Sequence, residues 1–251
     1  MPTVLFEIRY NAALIILNKP DKRNMLTQEV CGQIVDYVAQ AEAHPEVKAL
    51  IVTGRGRAFC AGGQLSDLNP NQQVLEKIYS GFLSVANCSL PTIAAINGPA
   101  VGAGFNLAVG CDVRIVTEAA RFEPRFFGLG LHPGGGNTWM LRQIANWNTA
   151  AGMLLFSQSL NGLEAVEKGL AWKCVEADCL IDQAFEFTEN IRDLPKELLL
   201  RTKRTLREAG ATKNSHEEIL ELETAQQMWS IEQPYARDSI AAMMEKISRK
   251  P

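Results

Sequence analysis

Two glycine-rich segments carry the residues of this 251-residue sequence best suited to chemistry. The first is Arg57-Ala58-Phe59-Cys60-Ala61-Gly62-Gly63-Gln64-Leu65, directly after an apolar run that reads as a strand. The second is Ile96-Asn97-Gly98-Pro99-Ala100-Val101-Gly102-Ala103-Gly104-Phe105-Asn106-Leu107, which follows another such run and leads into a helix. Glycine lets a backbone approach a ligand closely and adopt positive φ. A helix start offers N–H groups that the helix itself leaves unpaired. Two such loops facing each other could aim two backbone N–H groups at one oxygen and form an oxyanion hole, in which a single donor is worth about 3–4 kcal/mol in a transition state. The same glycines are equally consistent with tight strand–helix packing and turns. Gly102-Ala103-Gly104 does not complete the G-x-G-x-x-G of a dinucleotide site. The six cysteines are scattered without a C-x-x-C pair. That spacing argues against a disulfide framework or a zinc site and for reduced thiols in the cytoplasm.

The elements that would position these loops follow from the apolar pattern. Residues 3–9 and 12–18 read as strands joined by a turn near Tyr10-Asn11. After the polar break at 19–24, Thr27 can cap a helix to about Ala43, with Val30, Ile34, Val38 and Ala41 as its buried stripe. Strands are expected at 48–53, 91–96 and 113–117. Helices are expected to start near Leu65 and to span 71–87 and 102–111, giving βαβ units with right-handed crossovers. Asn97-Gly98-Pro99 reads as a turn and 121–136 as irregular chain. From 137 onward helices dominate, at 137–157, 162–169, 180–193, 195–209, 214–230 and 234–248. We expect an α/β fold with residues 1–195 as its core and 196–251 as a helical C-terminal region. Composition excludes several classes. Lys+Arg number 25 against 28 Asp+Glu, a net charge of −3, so no basic surplus points to nucleic acid. No run of about 20 apolar residues suggests a membrane span. The apolar start is broken by Glu7, Arg9 and Asn11 and has no basic leader, so it reads as strands rather than a signal peptide.

The order of the motifs resembles the crotonase superfamily, the enoyl-CoA hydratase/isomerase group. Leu17-Asn18-Lys19-Pro20-Asp21-Lys22-Arg23-Asn24-Met25-Leu26 is similar to that family's opening motif. FCAGGQL, AINGPAVGAGFNLAVGCD, Gly134-Gly135-Gly136 and Ala165-Val166-Glu167-Lys168-Gly169-Leu170-Ala171 follow in the family's order. The resemblance implies a spiral of ββα turns, a helical C-terminal region used in trimerisation, and trimers that often pair into hexamers. It implies an acyl-CoA thioester as ligand, with CoA entering as part of the substrate and no separate cofactor or metal. By motif position the oxyanion donors are the N–H groups of Gly63 and Gly104. Arg23 matches a basic position near the nucleotide phosphates, and Ala61 and Gln64 lie in the loop that bends around pantetheine and adenine. Lys246 matches a residue that reaches the CoA of an adjacent subunit.

The sequence departs from the family at its acid and base. Hydratases of the family use two glutamates, and the matching positions here are Asn106 and Phe126. An amide takes no proton at neutral pH and a phenyl ring none at all, so water addition by two carboxylates does not follow. Glu123, with Arg125 as a candidate partner, could substitute. So could His132, one of three histidines, whose ring titrates in the range of a general base. Asp67 reads as a helix cap, and His44 and His216 as surface residues. Three functions remain open: an enoyl-CoA hydratase/isomerase-type enzyme that stabilises a thioester enolate, a hydrolase or decarboxylase of the same fold using His132, and a non-catalytic acyl-CoA-binding protein.

Overall fold

The apolar runs pair into two sheets in a computed structural model that describes residues 2–64, 72–210 and 216–249. β1 (Val4–Arg9) and β2 (Ala12–Leu17) form an antiparallel hairpin around Tyr10-Asn11, with Tyr10 at φ 55°. β3 (Ala49–Gly54), β4 (Thr92–Ile96), β6 (Val113–Thr117) and β9 (Lys173–Val175) add in parallel to β2, in the order β1-β2-β3-β4-β6-β9. β3 and β4 are buried along their whole length, which is why they read as unbroken apolar runs rather than alternating ones. The smaller sheet holds β5 (Pro99–Val101), β7 (Arg121–Glu123) and β8 (Leu160–Asn161), and Cys60 extends it through a parallel bridge to Ala100.

The helices complete a repeating turn. α1 (Gln28–Ala43) is capped by the Thr27 hydroxyl, which accepts from Val30 N at 3.3 Å, and buries the expected stripe. α2 (Gln72–Asn87), α3 (Ala103–Gly110) and α4 (Asn137–Ile144) follow. Successive turns lay one strand in the large sheet, one short strand or bridge in the small sheet, and then a helix: β3, Cys60, α2; β4, β5, α3; β6, β7, α4. This is the expected spiral of ββα turns.

Several expectations are corrected. The helix expected over 137–157 breaks into α4 and α5 (Trp147–Leu155), because Asn146 Oδ1 accepts from Thr149 N at 2.9 Å and starts a new helix. α6 (Gly162–Glu167) opens with a reciprocal Asn161–Glu164 cap. The helix expected over 180–193 stops as α7 (Leu180–Glu186), followed by a 3₁₀ turn at Glu189–Ile191. The irregular segment contains β7 and a 3₁₀ turn at Phe127–Leu129, and the Asn97-Gly98-Pro99 turn runs straight into β5. β8 and β9, of two and three residues, are too short to show a period. The helix start near Leu65 and the cap assigned to Asp67 lie outside the described residues.

α8 (Lys196–Gly210), α9 (His216–Glu232) and α10 (Pro234–Ser248) form the helical C-terminal region. Its anchor is polar. Buried Lys203 donates to Leu90 O at 2.7 Å and pairs with the Asp112 carboxylate, which also accepts from Thr92 N at 2.8 Å and Thr92 Oγ1 at 2.9 Å. Burial holds the Lys203 ammonium below its ordinary pKa, and Asp112 opposes that shift. Ile231, Ala236 and Ile240 then close over the core. No described helix is long and apolar enough to cross a membrane. Replacing Lys203 by Met leaves Asp112 bonded to Thr92 and partly hydrated, so the expected loss is about 1–3 kcal/mol, less than for a fully buried pair. Urea denaturation measures it, and an unchanged midpoint would show that this pin contributes nothing.

Candidate active site

The first glycine loop is held by the turn before α1. Arg23 and Asn24 both occupy the left-handed region, at φ 51° and 57°. Asn24 is the kind of residue that tolerates it. Its Oδ1 accepts from Lys19 N at 2.9 Å, and its Nδ2 donates to Arg55 O at 2.9 Å and Ala58 O at 2.8 Å. One buried amide thus locks the 19–24 turn to the chain leaving β3. Beyond it the main chains run side by side. Ala61 N donates to Arg23 O at 2.9 Å, Leu26 N to Gly62 O at 2.8 Å, and Gln64 N to Leu26 O at 3.1 Å, which sets Gly63 opposite Leu26. Arg23, Ala61, Gly63 and Gln64, drawn from two distant segments, therefore share one strip, with the Arg23 side chain exposed.

The second glycine loop is stitched to the first. Cys60 N donates to Pro99 O at 3.1 Å and Val101 N to Cys60 O at 2.9 Å. Gly104 meets the Cys60 carbonyl so closely that a Cβ there would lie 2.2 Å from its oxygen. Gly62, at φ 98°, turns beside the start of α3, where a Cβ would lie 2.8 Å from Val101 O and 3.7 Å from Ala103 N. The N–H groups of Gly63, Ala103 and Gly104 have no hydrogen-bond partner among the described residues. The last two sit in the first turn of α3, at the positive end of its dipole. Ala103 N, which the glycine pattern did not single out, is the first-turn amide facing the Gly62 turn; the signal for it was the helix start itself. Asn24 was likewise missed, although an Asn inside a polar turn is a common left-handed residue.

The thiol nearest these amides is inert. Burial pushes the Cys60 thiol up to about 12, although the Gly62 and Leu26 backbone groups favour the thiolate. It stays protonated near neutral pH and supplies no nucleophile. Among the described residues, no group of three His, Cys, Asp or Glu side chains is placed to hold a metal ion.

The acid/base candidates fall in different settings. Asn106 is buried in α3; its Nδ2 donates to Gly134 O at 2.9 Å and its Oδ1 accepts from Asn137 Nδ2 at 2.6 Å. Phe126 is buried, and its carbonyl accepts from Leu129 N and Leu131 N, both at 3.0 Å. Glu123 lies beside the second loop through its main chain, since its carbonyl accepts from Gly102 N at 2.9 Å, while its carboxylate pairs with Arg125 Nε at 2.7 Å. His132 is half-buried with Nδ1 2.7 Å from Pro133 O. A carbonyl only accepts, so Nδ1 carries a proton. Lys246 is exposed in the last turn of α10, apart from the hydrogen-bonded strip; its assignment concerns an adjacent subunit. His44 Nδ1 accepts from Glu46 N at 3.3 Å, and His216 opens α9.

A spiral of ββα turns in which the chain at Cys60–Gly62 is stitched to the start of α3 is the architecture the residues build. Comparison with known proteins agrees. The family model described as enoyl-CoA hydratase/isomerase matches residues 7–250. A Mycobacterium tuberculosis protein named "probable enoyl-CoA hydratase" is 42% identical over 97% of this chain and 98% of its own. The "1,2-epoxyphenylacetyl-CoA isomerase" of Escherichia coli is 30% identical over 99% of this chain and 97% of its own. The crystal structure of an enoyl-CoA hydratase from Mycobacterium avium subsp. paratuberculosis matches with a TM-score of 0.86 at 26% identity, over 96% of this chain and 98% of that one. The chain belongs to the enoyl-CoA hydratase/isomerase family, with the crotonase fold.

The burial of the thiols generates a prediction. Iodoacetamide near neutral pH should label exposed Cys179 first and half-buried Cys174 next, while Cys31, Cys60, Cys88 and Cys111 react only after unfolding. Mass spectrometry of timed samples checks the order. Labelling of Cys60 in the folded protein at the rate of Cys179 would contradict the sealed loop junction.

Proposed function

We propose that the protein is an acyl-CoA enzyme that polarises the thioester carbonyl between Gly63 N–H and the first-turn amides of α3, Gly104 with Ala103, and so stabilises an enolate. The observation that carries this reading is the junction that sets the Gly62 turn beside the start of α3, fixed by the Cys60–Pro99 and Cys60–Val101 main-chain bonds, with the Gly63, Ala103 and Gly104 amides left without a partner among the described residues. Donors of this kind are each worth about 3–4 kcal/mol where charge develops in a water-poor site. CoA enters as part of the substrate. By family position Arg23 would meet the nucleotide phosphates, and Ala61 and Gln64, on the same hydrogen-bonded strip, would border the path of the pantetheine and adenine.

The acid/base groups narrow the reaction. Asn106 and Phe126 leave no pair of carboxylates for water addition. A proton shift along the acyl chain needs one base: it takes a proton from Cα of a 3-enoyl ester, negative charge collects on the thioester oxygen in the hole, and the proton returns at Cγ, giving the 2-enoyl ester. We assign that base to His132, whose half-buried ring lies in the turn before α4 with Nδ1 toward Pro133 O. Isomerisation is thus the favoured outcome on the acid/base groups; the relatives, one named a hydratase and one an epoxyphenylacetyl-CoA isomerase, support the family. The second reading, a binder without turnover, is favoured by one observation: both ends of the Asn106 amide are held by protein groups.

The test is mass spectrometry and chromatography of saturated, 2-enoyl, 3-enoyl and β-keto CoA esters incubated with concentrated protein. The expected product is a positional isomer of unchanged mass from the 3-enoyl ester. A water adduct would overturn isomerisation in favour of hydration. Free acid or lost CO₂ would move His132 to hydrolysis or decarboxylation, and retained binding without conversion would establish the binder. His132→Ala should lower kcat by about 10²–10⁴-fold, the range for loss of a general base, with little change in KM. The exposed Leu198, Leu206, Trp229, Met244 and Ile247 on α8–α10 support assembly into a homotrimer or hexamer. Analytical ultracentrifugation should give three or six times the 27.6 kDa chain, and a monomer would contradict that assembly. The six free cysteines support a reducing, cytoplasmic setting.

A further inference from the structure

We infer that Asn106 is a positioning residue: its amide clamps the turn from Pro133 to Asn137 onto α3 and thereby fixes where His132 is held. The inference rests on the reading of His132 as the base only for its turnover arm.

The orientation of the amide follows from its partners. Gly134 O can only accept, so the atom of Asn106 facing it is Nδ2. That turns Oδ1 toward Asn137, whose facing atom must then be its own Nδ2. Asn137 Oδ1 is left buried without a donor among the described residues, a cost accepted to keep this arrangement. The turn is pressed onto the clamp from both sides. A Cβ at Gly135, at φ 68°, would lie 2.8 Å from Asn106 Nδ2 and 2.4 Å from Phe82 Cζ. A Cβ at Gly134 would lie 2.2 Å from Gln227 Oε1 and 2.6 Å from the Tyr79 hydroxyl, so α2 and α9 close the other side. His132 enters this turn through its Nδ1–H bond to Pro133 O, the carbonyl just before the clamped residue. Asn106 itself is 2% exposed, so it meets protein rather than substrate. A carboxylate here would set negative oxygen against Gly134 O. The departure from the family's glutamate is therefore an exchange of an acid/base group for a donor that the turn requires.

Asn106→Asp tests this at constant volume. Ionised, the carboxylate repels Gly134 O; protonated, it donates to Gly134 O and still accepts from Asn137. Burial and the facing carbonyl raise its folded pKa above the unfolded value, so the clamp is present at low pH and lost as pH rises through the folded pKa. Among the described residues, the titratable groups placed against the turn are the Tyr79 phenol and His132. Hydrogen-exchange mass spectrometry of residues 131–137, compared with wild type at each pH, should show protection lost at all pH values in Asn106→Ala, and lost only at higher pH in Asn106→Asp. In turnover, Asn106→Ala should lose about 100-fold in kcat, the cost of misplacing a reacting group by about 1 Å, with KM for the CoA ester within about threefold. Unchanged protection, a pH-independent Asn106→Asp, or lost protection with unchanged kcat would each overturn the inference. Asn106→Asp decides even if Asn106→Ala is too unstable to purify. If wild type converts no ester, the proposed function fails, while the exchange experiment still decides the clamp.

Discussion

The junction of two main chains at Cys60 is the constraint on which the rest of this molecule depends. Cys60 donates to Pro99 and accepts from Val101, so the first glycine loop becomes an extra strand of the small sheet. Any side chain at Gly104 would collide with the Cys60 carbonyl. With both conditions met, the Gly62 turn packs directly beside the start of α3. Neither loop holds its geometry alone, because each is fixed from outside: the first by Asn24 and the main-chain bonds to Arg23 and Leu26, the second by Glu123 O on Gly102. The amides are positioned by sheet hydrogen bonds rather than by mobile side chains, which is what preorganised stabilisation of an oxyanion requires.

The glycine loops and the turn between β7 and α4 are built differently. The loop amides belong to the sheets and helix starts of the spiral. The turn is held by side chains: Asn106 from α3 and the flanking Tyr79 and Gln227. A family that shares one oxyanion hole can diverge in reaction by changing such a turn without disturbing the hole. Here the two positions that resemblance matches to the family's glutamates hold a hydrogen-bonded amide, Asn106, and the buried Phe126, while the turn carries the half-buried His132.

Much of this was legible in the sequence, for physical reasons. β3 and β4 are buried on both faces, so their composition announces them, and α1 carries both its Thr27 cap and its stripe. The glycine loops were visible because glycine marks close approach. The roles of Arg23 and Ala61 toward one ligand rested on family resemblance, and their main-chain bond was not foreseen, since it joins segments separated by α1 and β3. Two classes of feature escaped. β5, β7, β8 and β9 are too short to show a period and exist only because neighbouring turns pair with them. The partners of Asn106, Asn24 and Lys203 lie far along the chain, so residue type alone could not tell a clamp or a pin from a solvated polar group.

The central claim is that the apposed glycine amides stabilise a thioester enolate with one base at hand. Its most direct test is proton NMR of a saturated acyl-CoA ester mixed with the protein in D₂O, which reports washout of the Cα protons whatever the later fate of the enolate. The account predicts protein-dependent loss of the Cα signal with the other acyl protons retained. Saturating binding with the Cα signal intact would contradict it.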